Sequence, residues 1–303
     1  MEPGSQDRGL ATTGARQLAA QALASWDDFI TVAKAVDLDG HSRNRKVSPR
    51  RILTIVGDWP ESRQLPQFLV AAQAGDTGTI DQDAIDDRVA AHHRDATKSD
   101  IIEAIERARD SVANWVSGSN EALPAFDEFA LTEVASPLGP LPVITYAHAA
   151  AFQLAISARD LRPAGAVVPA SLQVAGLQAL LDTTGALAAR LGVTGTLAAV
   201  TPTTAVSIST VPRAWRTFIL DPDSAREEPG IEGGVGTLLD MASGRKNPIG
   251  VLRRRKVKIR RLPEVMRYAS IAQEVPGLPG GPVLSKAAGL LSIVARSSRG
   301  TPR

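Results

Sequence analysis

The 303-residue sequence contains no cysteine. That excludes disulfides, thiolate metal sites, iron–sulfur clusters and any cysteine nucleophile. Aromatic side chains are scarce, with six Phe, two Tyr and four Trp, so there is little from which to build a base-stacking platform for nucleic acid. No apolar run approaches the ~18 residues needed to span a bilayer. The stretch from Met1 to Arg16 is polar and lacks the apolar core of a secretory signal. The expectation is therefore a cytoplasmic protein. No G-x-S-x-G, Walker A, H-E-x-x-H or G-x-G-x-x-G motif occurs. The cluster Gly233-Gly-Val-Gly236 has no phosphate-loop lysine and reads as a flexible helix entry.

What is present is a polarised charge distribution. Residues 1–162 carry 23 acidic and 16 basic side chains, and residues 163–303 carry 9 and 18. The net charge of +2 hides an acidic front and a basic back. Such asymmetry points either to an anionic partner for the second half or to attraction between the halves.

Periodicity gives the elements. Leu18, Ala22, Trp26, Phe29, Ala33 and Val36 recur at helical spacing over 15–37. Ser48-Pro49 reads as an N-cap followed by proline in the first turn of a second helix. Asp100 with Glu103 reads as a capping box for a third, whose apolar stripe is Ile102, Ile105, Ala108, Val112 and Trp115. A fourth, Val143 to Leu161, is apolar almost all round, as a buried helix is. These four predict a helical bundle over residues 10–162, with the polar connection 60–98 holding a short helix or a mobile loop.

Arg162-Pro-Ala-Gly165 marks the expected boundary. Beyond it the pattern predicts a helix over 170–191, strands at 197–200, 205–209 and 213–220, a loop over 221–234, a short helix over 235–243 and a strand over 255–261. That is an α+β domain over 166–275 with a small, mostly antiparallel sheet. A Pro/Gly-rich tail, 276–303, carries one amphipathic stretch over 283–294, a lid if the domain holds a pocket and otherwise a helix packed outside it.

Of four histidines, His41, His92 and His93 lie in polar stretches, and two adjacent residues of a regular helix do not face one centre. They read as surface. His148 falls in the buried fourth helix, where a hydrogen-bonded core histidine is the simpler reading than a metal ligand, because Ile144 and Phe152 flank it at helical spacing.

Two resemblances follow from quoted motifs. Ser48-Pro-Arg-Arg-Ile-Leu-Thr-Ile-Val-Gly-Asp-Trp59 resembles the second-helix motif W-[ST]-x-R-[DE]-[LV]-[LVA]-x-H-[LV] of the mycothiol-dependent maleylpyruvate isomerase family, among the DinB-like four-helix metalloproteins. Gln153-Leu-Ala-Ile-Ser-Ala-Arg-Asp-Leu161 resembles its fourth-helix motif, E-x-x-x-H-x-x-D-L. The resemblance implies a divalent metal held by two histidines and a glutamate. Position by position, those become Ile55, Gln153 and Ser157. An aliphatic cannot ligate, and an amide and an alcohol are poor transition-metal ligands. Arg50 and Asp160-Leu161 match the family as scaffold. The expectation is a degenerate metal site, with no catalytic residue and no cofactor assigned.

In the second half, Gly244-Arg-Lys-Asn-Pro248 followed by Lys256-Val-Lys-Ile259 resembles the turn-and-strand signature of the sterol carrier protein type 2 fold. Arg255 and Arg260 stand where that family has glycines. The resemblance implies a sheet with one apolar face under helices. Ile208, Trp215, Phe218, Leu238, Leu239, Met241, Ile249, Val257 and Ile259 either fill the space between or line a cavity for an acyl chain. Residues 245–261 form a basic tract of nine Lys and Arg, Lys246 and Arg260 among them, with no acid; within it Arg253, Arg254, Arg255, Lys256 and Lys258 are a candidate contact for an acidic small molecule or an anionic membrane surface, and without aromatics the tract is a poor nucleic-acid site. The expected function is a non-catalytic carrier of an apolar ligand, with a mycothiol-dependent isomerase or transferase of divergent metal site as the alternative.

Overall fold

The structure is a computed structural model, which describes residues 8–9, 14–62, 65–76 and 80–271. The expected tail at 276–303 lies outside the described residues. The chain divides into two compact units, the first ending at Thr183 and the second running from Thr184, with Arg8–Gly9 joined to the second.

After β1 (Arg8–Gly9), the first unit consists of α1 (Gly14–Ala35), α2 (Pro49–Thr54), α3 (Leu65–Gln73), α4 (Gln82–His92), α5 (Lys98–Ser117), α6 (Phe126–Phe129) and α7 (Val143–Asp160). Between the last two lies a two-stranded antiparallel ladder, β2 (Glu133–Val134) and β3 (Leu141–Pro142). The cap read at Ser48 is present, its side chain accepting from the Arg51 N–H at 3.2 Å with Pro49 in the first turn. The capping box of α5 is displaced by one turn from its reading. Thr97 is the N-cap, and Asp100 sits at N3 and accepts from the Thr97 N–H at 2.8 Å. The connection 60–98 holds two helices, α3 and α4, where one short helix or a loop is expected.

Helix α7 is buried along nearly its whole circumference, as its composition requires. It packs on α1 and α3, while α1 also packs on α5, with Arg109–Asp27 at 3.0 Å and Lys34–Glu106 at 2.8 Å across that second contact. Trp26, Phe29 and Ala33 on α1, Ile101, Ile105 and Trp115 on α5, and Ile144, Leu154 and Ile156 on α7 are buried.

Helix α8 (Ala170–Arg190) begins in the first unit and ends in the second. The second unit then carries β4 (Gly195–Val200), β5 (Ala205–Val211), β6 (Ala214–Leu220), α9 (Pro222–Ala225), β7 (Gly230–Gly233), α10 (Val235–Ala242), α11 (Pro248–Arg253), β8 (Val257–Arg260) and α12 (Leu262–Val265), then a 3-10 turn at Met266–Ser270. Its sheet has the order β1-β6-β5-β4-β7-β8. The sheet, expected to be mostly antiparallel, has three antiparallel pairs and differs from a fully antiparallel one at two, β4–β7 and β1–β6, which are parallel. The difference comes from two strands without a strand signature, β1 and β7. Gly230 is placed where a Cβ would stand 2.2 Å from the Ala198 carbonyl oxygen, so a glycine there lets β7 lie against β4.

Cross-strand partners share a face. The register therefore puts Leu197, Ala199, Val206, Ile208, Trp215, Ile219, Ile231, Val257 and Ile259 on one side of the sheet. Tyr268 reaches this side to bond Thr210 at 3.0 Å, and α8 comes so near that a Cβ on Gly185 would stand 2.5 Å from the Trp215 ring. The opposite face holds Ala198, Val200 and Ala205, packed with Leu220 against Ala225 of α9.

Candidate functional site

The family resemblance assigns a metal to the positions of Ile55, Gln153 and Ser157. Ile55 is the half-buried C-cap of α2, Gln153 is exposed on α7, and Ser157 is buried one turn further along. Among the described residues no group of three or more His, Cys, Asp or Glu side chains is arranged to hold a metal ion. Arg50 donates to the Ala96 carbonyl and ties α2 to the segment entering α5. The Asp160 carbonyl accepts from the Arg43 N–H at 2.8 Å.

His148 is buried, but not as the hydrogen-bonded core residue expected. Neither ring nitrogen has a partner among the described residues, and the Thr145 hydroxyl, one turn back, is also unpartnered. Burial pushes the imidazole pKa down to about 4, so the ring is neutral near pH 7.

The first unit has a second cluster, which the sequence reading placed on the surface. Helix α4 stops at His92, and His93 leaves helical geometry at φ −106°, ψ 22°. That break turns two adjacent rings onto one carboxylate: His92 Nδ1 lies 3.0 Å from Glu61 Oε1 and His93 Nε2 lies 2.9 Å from Glu61 Oε2. The His93 contact, above all, holds the Glu61 carboxyl below its ordinary range. His93 also stacks on Trp59 at 3.9 Å between centroids. Trp59 is itself fixed, its Nε1–H donating to the Thr54 carbonyl at 2.7 Å.

Beside this cluster is a cavity of about 330 Å³, lined by Trp59, His92, His93, Asp100, Glu103 and Arg107 among others. Asp100, Glu103 and Arg107 lie on one stripe of α5 at helical spacing. Arg107 donates to the Asp58 carbonyl at 3.1 Å. Burial raises the Asp58 carboxyl against the opposing bonds from Ser111 and Ser62. The ring nitrogens turned away from Glu61 are His92 Nε2 and His93 Nδ1. The arrangement offers a polar recess with oriented imidazoles. The assumption of an unbroken helix concealed it, and no signal in the sequence marks where α4 ends.

In the second unit, Ile208, Trp215, Val257 and Ile259 share one sheet face, with Leu238, Leu239 and Met241 buried on α10. Phe218 falls on the opposite face by register, and Ile249 is 38% exposed on α11; these two do not join the others. The Gly244–Pro248 turn is built from its own residues. Gly244 takes φ +71°, Asn247 caps α11 by accepting from the Ile249 N–H at 3.0 Å, and Pro248 occupies the first turn. Lys246 reaches back to the buried Asp240 at 2.8 Å.

The basic tract splits. Lys246 is paired with Asp240, and Arg260 donates to the Ala225 carbonyl at 3.1 Å and lies near Glu232. Arg253, Arg254, Arg255, Lys256 and Lys258 are all exposed. Helix α11 ends with Lys256 N–H on the Val251 carbonyl and Arg255 in the left-handed region at φ +53°, a position where glycine is about 1 kcal/mol cheaper.

No protein-family model matches the sequence. No curated protein matches it. Among solved structures, it is similar to a crystal structure of the mycothiol-dependent maleylpyruvate isomerase, with TM-score 0.49 and 14% identity over 79% of this chain and 93% of that one. A histidine-to-alanine variant of the same enzyme gives TM-score 0.49 and 14% identity, over 78% and 92%.

Proposed function

We propose that this chain is a binding protein with a maleylpyruvate-isomerase-like first half that lacks the family's metal chemistry, and a sterol-carrier-like second half that holds an apolar ligand. The observation that carries the reading is the donor set at the family's metal positions: a half-buried Ile55, an exposed Gln153 and a buried Ser157. A dication placed there would lose hydration without gaining an imidazole or carboxylate in return. These residues do not fit the metal. For the ligand, the support is the apolar sheet face running from Trp215 to Ile259, on which Ile219 is 51% exposed. Each methylene buried on such a face contributes ~0.8 kcal/mol.

One observation favours the alternative, a thiol-dependent isomerase or transferase with its metal held elsewhere. His148 has two unpartnered nitrogens in the helix that carries the family's second motif. One turn back on that helix stands a threonine, however, and a single imidazole does not hold a dication.

Native mass spectrometry of the gently purified full chain tests the proposal: co-purifying lipid is the expected result, and a clean apo mass after exposure to fatty acid refutes it. Elemental analysis finding stoichiometric zinc, together with mycothiol-dependent turnover of maleylpyruvate lost in His148→Ala, establishes the alternative instead.

A further inference from the structure

Arg253, Arg254, Arg255 and Lys256 are consecutive in the turn that joins α11 to β8, and Lys258 follows on the strand. All five are exposed, and none makes an ion pair among the described residues, whereas Lys246 and Arg260, in the same tract, face Asp240 and Glu232. The cations fixed by the fold are thus separated from those left outward. The turn also keeps an arginine at φ +53°, in a backbone position that favours glycine. Strain retained at a surface turn motivates a functional reading of the side chain it carries.

The same helix presents apolar groups beside the charge. Ile249 is 38% exposed and Leu252 half-buried, three residues apart on α11 and followed directly by Arg253. Aliphatic side chains bordered by lysine and arginine are the pattern of a surface that meets the boundary between headgroups and acyl chains. A nucleic acid would need stacking partners or a groove, and residues 245–261 contain no aromatic.

We infer that the α11–β8 turn docks on an anionic lipid bilayer, with Arg253, Arg254, Arg255, Lys256 and Lys258 on the headgroups and Ile249 and Leu252 entering the acyl boundary. The inference does not depend on whether the second unit holds a ligand. Each cation near an anionic leaflet strengthens partition about fivefold.

The test is sedimentation of the full chain with vesicles. Binding is expected to vesicles of phosphatidylcholine and phosphatidylglycerol in equal amounts, to weaken as salt rises, and to be absent with phosphatidylcholine alone. Replacing Arg253, Arg254 and Lys256 together by Gln lowers partition about a hundredfold, with an unchanged thermal midpoint showing that the fold is intact. Ile249→Ser lowers it several-fold without changing the salt dependence. A control triple, Arg45→Gln, Lys46→Gln and Arg88→Gln, makes the same change in net charge elsewhere and leaves partition within twofold. The inference is overturned if vesicle binding is independent of phosphatidylglycerol, if the control triple weakens it equally, or if duplex DNA binds more tightly through the same three residues.

Discussion

His148 in the first unit and Asp240 in the second are each at most 1% exposed, and the chain treats them in opposite ways. The imidazole has no hydrogen-bond partner among the described residues and stays tolerable by being neutral. The carboxylate meets the ammonium of Lys246, whose side chain is 38% exposed and carries its own charge partly into water. A weak base can escape the cost of burial by giving up a proton near neutral pH, while a charged acid needs a partner. The partner is therefore written into the sequence turn that positions it, and the lone histidine leaves no such trace.

The units differ in packing tolerance too, and this gives the largest expected effect. A Cβ on Gly230 would meet the Ala198 carbonyl oxygen at 2.2 Å, and β7 is held between β4 and β8. Gly230→Ala is expected to cost about 3 kcal/mol or more, because neither flanking strand can give way. In the first unit, a Cβ on Gly176 of α8 would meet the Ala155 Cβ of α7 at 2.7 Å. Two helices separate more easily than paired strands, so Gly176→Ala should cost about 1–2 kcal/mol. Urea denaturation of both variants checks the order; equal losses would break the comparison.

Next in size is the Asp240 pair. Lys246→Met leaves the carboxylate buried without its ammonium, at an expected cost of about 2–3 kcal/mol, below the range for fully buried pairs because Lys246 is partly solvated. Adding Asp240→Leu should recover much of the loss. If the double variant is less stable than Lys246→Met alone, Asp240 serves the turn through other contacts and the pairing argument is wrong.

How much of this was legible in the sequence depended on how local its cause was. The Ser48-Pro49 cap is made by adjacent residues, and that helix start appears where the pattern puts it. The start of α5 is ambiguous at that level, since Thr97–Asp100 and Asp100–Glu103 have the same spacing; the side-chain bond to Thr97 decides it. Strand β7 was not legible, because Gly230-Ile-Glu-Gly233 becomes a strand only through β4 and β8 on either side. In the second unit, Trp215 and Phe218 stand three apart on β6 and therefore face opposite sides, which strand alternation alone requires. The Glu61 cluster escaped for a reason related to that of β7: it brings together residues about thirty positions apart around a helix end with no cap signal.

His148 gives a pH test of the same contrast. Its folded pKa, about 4, lies below the unfolded value near 6.5, so the unfolded chain binds the extra proton between them. The stability it permits is fully present above pH 6.5 and falls as pH drops toward 4, by about 2 kcal/mol between pH 7 and pH 5. His148→Leu removes this slope, which urea melts at the two pH values measure against wild type. An unchanged difference between pH 7 and pH 5 would show that the ring is not the titrating group.

The smallest expected effect belongs to the exposed cluster, where charge is shared rather than buried. The Glu61 carboxyl is held below its ordinary range chiefly by the His93 contact, with a smaller contribution from His92. The sign is that of a depressed acid: its support for the fold is present above the unfolded carboxylate pKa of about 4.3 and is lost as pH falls through the lower folded value. Carbon-13 NMR of the carboxyl should show Glu61 titrating below that range in wild type, returning most of the way in His93→Asn and only slightly in His92→Asn. The unfolding midpoint near pH 7 should hardly move in either variant, since exposed ion pairs contribute little. Equal shifts from the two variants would mean that the rings act alike, and that the stacking of His93 on Trp59 does not set it apart from its neighbour.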